Sequence, residues 1–193
     1  MNSQKLSSPI VRLTFSAMMI ALSTVLSNVR LFRMPSGGSI TLFSMLPIII
    51  IAFIYGIKWG CFTGFVHGVF QILFGMDSLR GMTLLIVVGS VILDFLLAYG
   101  VLGLASIFKN KIKNQVASFT LGTAFVCVLR FLCHFVSGFL LYGDLSGDAI
   151  GSIIYSLTYN ISYMGPEIVF TVVGAAVFAG TFSLADLIKN KSA

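Results

Sequence analysis

The sequence predicts an all-α, polytopic membrane protein of six transmembrane helices with both termini on the cytoplasmic side. Three observations carry that reading. Hydrophobic residues fill 58% of the 193 positions and charged residues only 9%, against roughly 25% charged in soluble domains. Mean hydropathy is +1.03. The apolar residues also gather in continuous runs close to the ~20 residues that cross a bilayer as a helix. They do not alternate with the period of two that a membrane β-barrel needs. We expect one integral membrane domain over 1–193, with spans near 10–28, 42–55, 61–76, 82–108, 116–141 and 153–188.

Residues 1–9 form a polar tail, and the first apolar run lacks the small-residue exit of a cleaved signal peptide, so it reads as a true span. That span carries Ala17 and Ala21 as a small-xxx-small strip, which lets another helix approach closely in lipid. The approaching helix is either another of this chain or one of a second protein. Residues 29–41, with Pro35, Gly37 and Gly38, cannot continue a helix and read as an outer loop able to act as a lid. Pro47 falls early in the second span. Gly60, Gly64 and Gly68 recur in four-residue steps through the third, making a close-packing face on which His67 and Gln71 are placed to hydrogen-bond across helices. The fourth span holds one charge, Asp94, and a carboxylate there costs several kcal/mol unless paired or hydrated. The fifth carries Arg130 and His134. The sixth contains Pro166, expected to kink it, followed by Glu167. Arg130 is placed to neutralise either Asp94 or Glu167.

With six spans, Lys5, Arg12, Lys58, Lys109, Lys111, Lys113, Lys189 and Lys191 share one side, and Arg30, Arg33 and Arg80 the other. The excess sets the first group in the cytoplasm and accounts for the net charge of +6 without nucleic acid. Cys61, Cys127 and Cys133 lie in apolar runs without metal-ligand spacing and read as small hydrophobic residues.

The stretch 129–160 is the most informative. Arg130, His134, Gly138 and Tyr142 stand four residues apart, which on a helix gives a slowly turning stripe along one face. Beyond the polar loop GDLSGD comes a Tyr/Ser/Thr/Asn cluster from Tyr155 to Asn160. Two neighbouring segments thus bring polar and aromatic groups to one end of an apolar protein. That is how a small-molecule pocket is built, and it is also how membrane helices are anchored at the interface.

Three segments, MPSGGSITLFSMLP (34–47), LRFLCHFVSG (129–138) and YSLTYN (155–160), resemble the thiamine-specific substrate-binding subunit of energy-coupling factor (ECF) transporters. The similarity covers nearly the whole chain. It implies six helices and a vitamin site near the outer face. It also implies docking onto a module of one transmembrane coupling protein and two ATPase subunits, so that ATP is used by the partners and the chain itself needs no cofactor. By the same resemblance, ligand contacts fall on Asp94, His134, Gly138, Tyr142, Tyr155 and Asn160, and the partner contact on Ala17 and Ala21. Asp94 stands where some members carry glutamate, Phe95 where a tyrosine is expected, and Tyr142 where tryptophan or phenylalanine occurs. A thiamine precursor or analogue is the alternative ligand. The residue chemistry suits the vitamin: a fixed thiazolium charge calls for a carboxylate and aromatic faces, and an aminopyrimidine for amide, imidazole or phenol groups.

Two rival classes are weaker. The sequence has no HExxH, GxSxG or P-loop to support an enzyme. A stand-alone ion-coupled transporter could use Asp94, Arg130 and Glu167 as a proton relay, but the two halves show no inverted repeat.

Overall fold

The computed structural model describes residues 8–34, 37–142 and 148–182. Pro35, Lys5, Asp144, Lys189 and Lys191, and the expected continuation of the last span to 188, lie outside the described residues. Six helices and one β-hairpin follow in the order α1 (Pro9–Asn28), β1 (Arg30–Arg33), β2 (Ser39–Thr41), α2 (Leu46–Tyr55), α3 (Ile57–Gly75), α4 (Leu84–Phe108), α5 (Gln115–Tyr142) and α6 (Ala149–Thr181). All but α2 are long and apolar enough to cross a membrane.

The first helix starts where the sequence provides a cap. Ser8 accepts a hydrogen bond from the Val11 N–H at 3.2 Å, and Pro9 occupies the first turn, where its missing N–H is not needed. Its inward face is polar for a helix so apolar overall: Ser16, Ser23 and Ser27 are buried, whereas Leu13, Met18 and Val25 are exposed. That inversion is what lipid imposes, since the outward side chains meet hydrocarbon and the inward hydroxyls find partners. Ala17 and Ala21 lie on the exposed side.

The expected outer loop is an antiparallel hairpin pairing Arg30 with Thr41 and Arg33 with Ser39. It turns through Gly37 and Gly38, both at positive φ (94° and 75°), a region that glycine enters without a Cβ clash. At Gly38 a Cβ would also meet the Tyr163 ring at 3.0 Å, so glycine there lets the hairpin lie directly on α6. The chain then turns inward, and the second apolar segment becomes helical only at Leu46. At ten residues α2 is about 15 Å long, half the hydrocarbon thickness. Nine of its residues are buried, and it fills the middle of the bundle. Lys109 donates to the Phe53 carbonyl at 2.6 Å, placing a cation against the carbonyl end of α2.

The glycine stripe of α3 packs as the spacing predicts. Gly60 faces Ala52, and Gly64 and Gly68 face the carbonyls of Tyr99 and Phe95. Opposite them α4 is irregular: Leu84–Ser90 is α-helical, Val91–Leu97 widens into a π-helical turn, and Val101–Phe108 tightens into a 3-10 helix. The helix α6 runs through Pro166 without a break. Arg12 lies over the Trp59 ring at 4.0 Å, and with Lys58 and Lys109 it marks one end of the bundle. The hairpin and the start of α6 mark the other.

A side chain at Gly64 would press on the Tyr99 carbonyl. Gly64→Val is therefore expected to destabilise the protein by about 1–3 kcal/mol, read as a lower thermal midpoint in detergent. An unchanged midpoint would contradict this packing.

Candidate ligand-binding site

At the hairpin end a cavity of about 200 Å³ opens between the hairpin and α3, α4, α5 and α6. All six residues expected at a ligand, Asp94, His134, Gly138, Tyr142, Tyr155 and Asn160, line it. Ala17 and Ala21 lie elsewhere, on the outside of α1.

Asp94 sits in the π-helical turn of α4 and faces α5. One carboxylate oxygen accepts the His134 Nδ1–H at 2.9 Å, and the other accepts the Ser137 hydroxyl at 2.6 Å. His134 and Ser137 are three residues apart, one turn of the same helix face, so a single helix supplies both donors. With its Nδ1 proton given to Asp94, a neutral imidazole presents Nε2 as an acceptor. That nitrogen is buried and has no hydrogen-bond partner among the described residues.

Arg130 makes no direct ion pair with either carboxylate among the described residues, contrary to expectation. No carboxylate among the described residues lies within 4.0 Å of it; Asp94 pairs instead with His134. Its guanidinium lies 4.1 Å from the centroid of the Tyr99 ring, and its Nε and Nη1 have no hydrogen-bond partner among the described residues. Glu167 is met by the returning hairpin strand: Thr41 donates to its Oε1 at 2.5 Å, and the Ser44 hydroxyl lies 3.3 Å from the same oxygen. Closer hydroxyl and imidazole donors thus take the place expected for the guanidinium at each carboxylate.

The remaining residues close the wall between α5 and α6. Asn160 donates to the Ser156 carbonyl at 2.8 Å and the His134 carbonyl at 3.3 Å, and accepts from the Tyr163 hydroxyl at 2.8 Å. Much of its hydrogen-bonding capacity therefore ties the two helices together. Gly138 permits that approach, because a Cβ there would collide with the Ser156 hydroxyl and reach the Asn160 amide at 3.2 Å. Tyr142 meets the Ser90 hydroxyl at 3.0 Å, and Tyr155 stacks on Tyr159, whose hydroxyl donates to the Gly37 carbonyl at 2.6 Å. Gln71 lines the cavity. His67 lies behind it, fully buried, with Ser23 at 3.1 Å and Gln71 at 3.2 Å, so it serves helix packing.

Ser137, Ser90, Thr41 and Tyr163 were not singled out from the sequence. The Ser137 spacing from His134 carried a signal; the others depend on how distant segments meet.

This architecture defines a helical membrane protein with a polar small-molecule cavity enclosed at one end of an apolar bundle. The chain belongs to the thiamine transporter protein family, which it matches over residues 13–184. It is 31% identical over 178 residues to the thiamine transporter ThiT of Bacillus subtilis (strain 168), covering 86% of this chain and 89% of that protein. Its fold is similar to the solved structure of ThiT from Listeria monocytogenes, with a TM-score of 0.72 over 92% of this chain and 97% of that one, at 20% identity.

Removing the Ser137 hydroxyl takes one of two donors from a carboxylate enclosed by protein. Hydrogen bonds to charged groups contribute about 1.5–3 kcal/mol, so Ser137→Ala should lower the thermal midpoint of the ligand-free protein in detergent. Ser137→Thr should keep most of it. Equal losses in both variants would point to packing and away from the hydrogen bond.

Proposed function

We propose that this chain is the high-affinity substrate-binding subunit of an ATP-driven ECF-type uptake transporter in the bacterial cell membrane, and that its ligand is thiamine. The observation that carries the reading is the Asp94 carboxylate in the cavity wall, held by His134 and Ser137, which suits a ligand with a fixed positive charge. Tyr142 and Tyr155 supply aromatic faces for a thiazolium ring. The unpartnered His134 Nε2 supplies an acceptor for an exocyclic amine. Family membership and the ThiT relatives support the same ligand.

The lysine and arginine excess on the Arg12–Lys58–Lys109 end supports cytoplasmic termini and an outward-facing cavity. A chain without a nucleotide motif must draw ATP energy from partners, and the exposed small strip of α1 fits contact with a helix of a coupling protein. On this reading Ala17→Trp or Ala21→Trp leaves thiamine binding intact and abolishes ATP-driven uptake in vesicles containing the coupling protein and ATPases. If binding fell as well, the strip would serve the fold instead.

The ligand's charge is tested at Asp94. Asp94→Asn keeps shape but removes the negative charge, and should weaken thiamine binding by about 2–5 kcal/mol, roughly 30-fold to several thousand-fold. An analogue with an uncharged ring in place of the thiazolium should bind wild type weakly and lose much less on the substitution. Calorimetry of both ligands against both proteins gives the coupling as a double-mutant cycle. Equal penalties for the two ligands would remove Asp94 as the counter-charge.

A further inference from the structure

The end of the bundle opposite the hairpin carries a second cavity, which the ligand site does not use. It is open, about 420 Å³, and lies where α2 ends, α3 begins and α4 runs out. Lys58, Ser106, Lys109 and Asn110 supply its polar lining, beside Tyr55 and Gly56. The Lys109 ammonium is anchored on the Phe53 carbonyl. Lys58 is exposed, and no carboxylate among the described residues lies within 4.0 Å of it.

Charge at this end is one-sided. Arg12, Lys58, Lys109, Lys111 and Lys113 gather there. Among the described carboxylates, Asp94 and Glu167 line the ligand cavity, and Asp77 and Asp148 lie at the hairpin end. Cations clustered at the rim of a membrane span attract anionic headgroups, and a basic pocket between helices can hold one.

The surface below Lys58 fits the rest of such a molecule. Phe62, Phe65 and Val69 follow it at steps of four, three and four residues, so all share its face of α3. They are 53%, 47% and 45% exposed. A lysine at the end of an apolar stripe sets an ammonium where a lipid phosphate sits, with acyl chains running along the rings. A soluble anion or an acidic protein patch would have no use for that stripe.

We propose that this cavity binds one anionic phospholipid from the leaflet at this end of the bundle. Lys58 and Lys109 hold the phosphodiester, Ser106 and Asn110 offer neutral hydrogen-bonding groups to the headgroup, and the Phe62–Phe65–Val69 stripe takes an acyl chain. The site needs only the chain's place in a membrane. It depends neither on the thiamine reading nor on the side of the membrane that this end faces.

The protein in maltoside detergent at low salt is titrated with phosphatidylglycerol and with phosphatidylcholine, and bound lipid is counted by native mass spectrometry. Wild type should retain one phosphatidylglycerol in preference to phosphatidylcholine, and rising salt should erode the preference. Lys58→Gln should weaken phosphatidylglycerol about fivefold, with the thermal midpoint in lipid-free detergent unchanged because the side chain is exposed. Lys58→Arg, which keeps the charge, should stay within about twofold of wild type. Lys111→Gln/Lys113→Gln removes two charges from the same end but outside the cavity lining, and should cost less than about twofold. Equal binding of the two lipids by wild type, or no loss in Lys58→Gln, would overturn the site. A loss in the Lys111/Lys113 variant matching that in Lys58→Gln would reduce it to diffuse attraction and overturn it too. Displacement by glycerol phosphate as readily as by phosphatidylglycerol would assign the cavity to a soluble anion and overturn the lipid.

Discussion

The carboxylate of Asp94 is the constraint around which the cavity is arranged. A charge within a membrane-spanning helix is tolerated only where water, a counter-charge or hydrogen-bond donors replace its hydration. Here two donors come from one turn of α5, and the π-helical turn of α4 carries Asp94 opposite them. An extra residue in a helical turn redirects the side chains within it, which is why such turns recur at functional sites. In a neutral ring, the contact with Asp94 sets the Nδ1–H tautomer of His134 and leaves its buried Nε2 as an acceptor.

The same logic runs through the rest of the bundle with signs reversed from a soluble protein. The greasy side chains of α1 point outward, and its serines point in. Ser23 gives its proton to the Ser44 carbonyl at 2.5 Å, and its oxygen also lies 3.1 Å from His67 Nε2. Thr41 and Ser44 then reach Glu167 on the far side. Because each buried polar group is expensive to leave unmade, these bonds fix the depth to which the hairpin strand and the start of α2 sink into the bundle.

Much of this was legible in the sequence. Apolar run length located the helices, and the four-residue stripes located both the glycine packing face and the His134–Gly138–Tyr142 wall. The second span was the exception, because hydropathy cannot distinguish a helix that crosses lipid from a ten-residue helix buried among its neighbours. The hairpin was hidden by its glycines and by strands of four and three residues, too short for alternation to register. The partners of Arg130 were also beyond reach. Charge arithmetic proposed an acidic neighbour, but the carboxylates found hydroxyl and imidazole donors on other elements, and the guanidinium settled on the face of Tyr99. Periodicity reports which face a residue occupies, but not which of several polar groups on opposing faces it meets.

That distinction explains why α1, which adds only Ser27 to the cavity lining, is nevertheless tied to it. Ser23 bonds the Ser44 carbonyl and meets His67, His67 meets Gln71, and Ser44 and Gln71 both line the cavity. His67 also packs edge-on against Tyr99, the ring beneath Arg130, with centroids 4.8 Å apart. A shift of α1 by one turn, about 5.4 Å, would carry Ser23 away from both partners. The inward serines thus hold α1 in register with the cavity, while its outward face, with Ala17 and Ala21, is exposed.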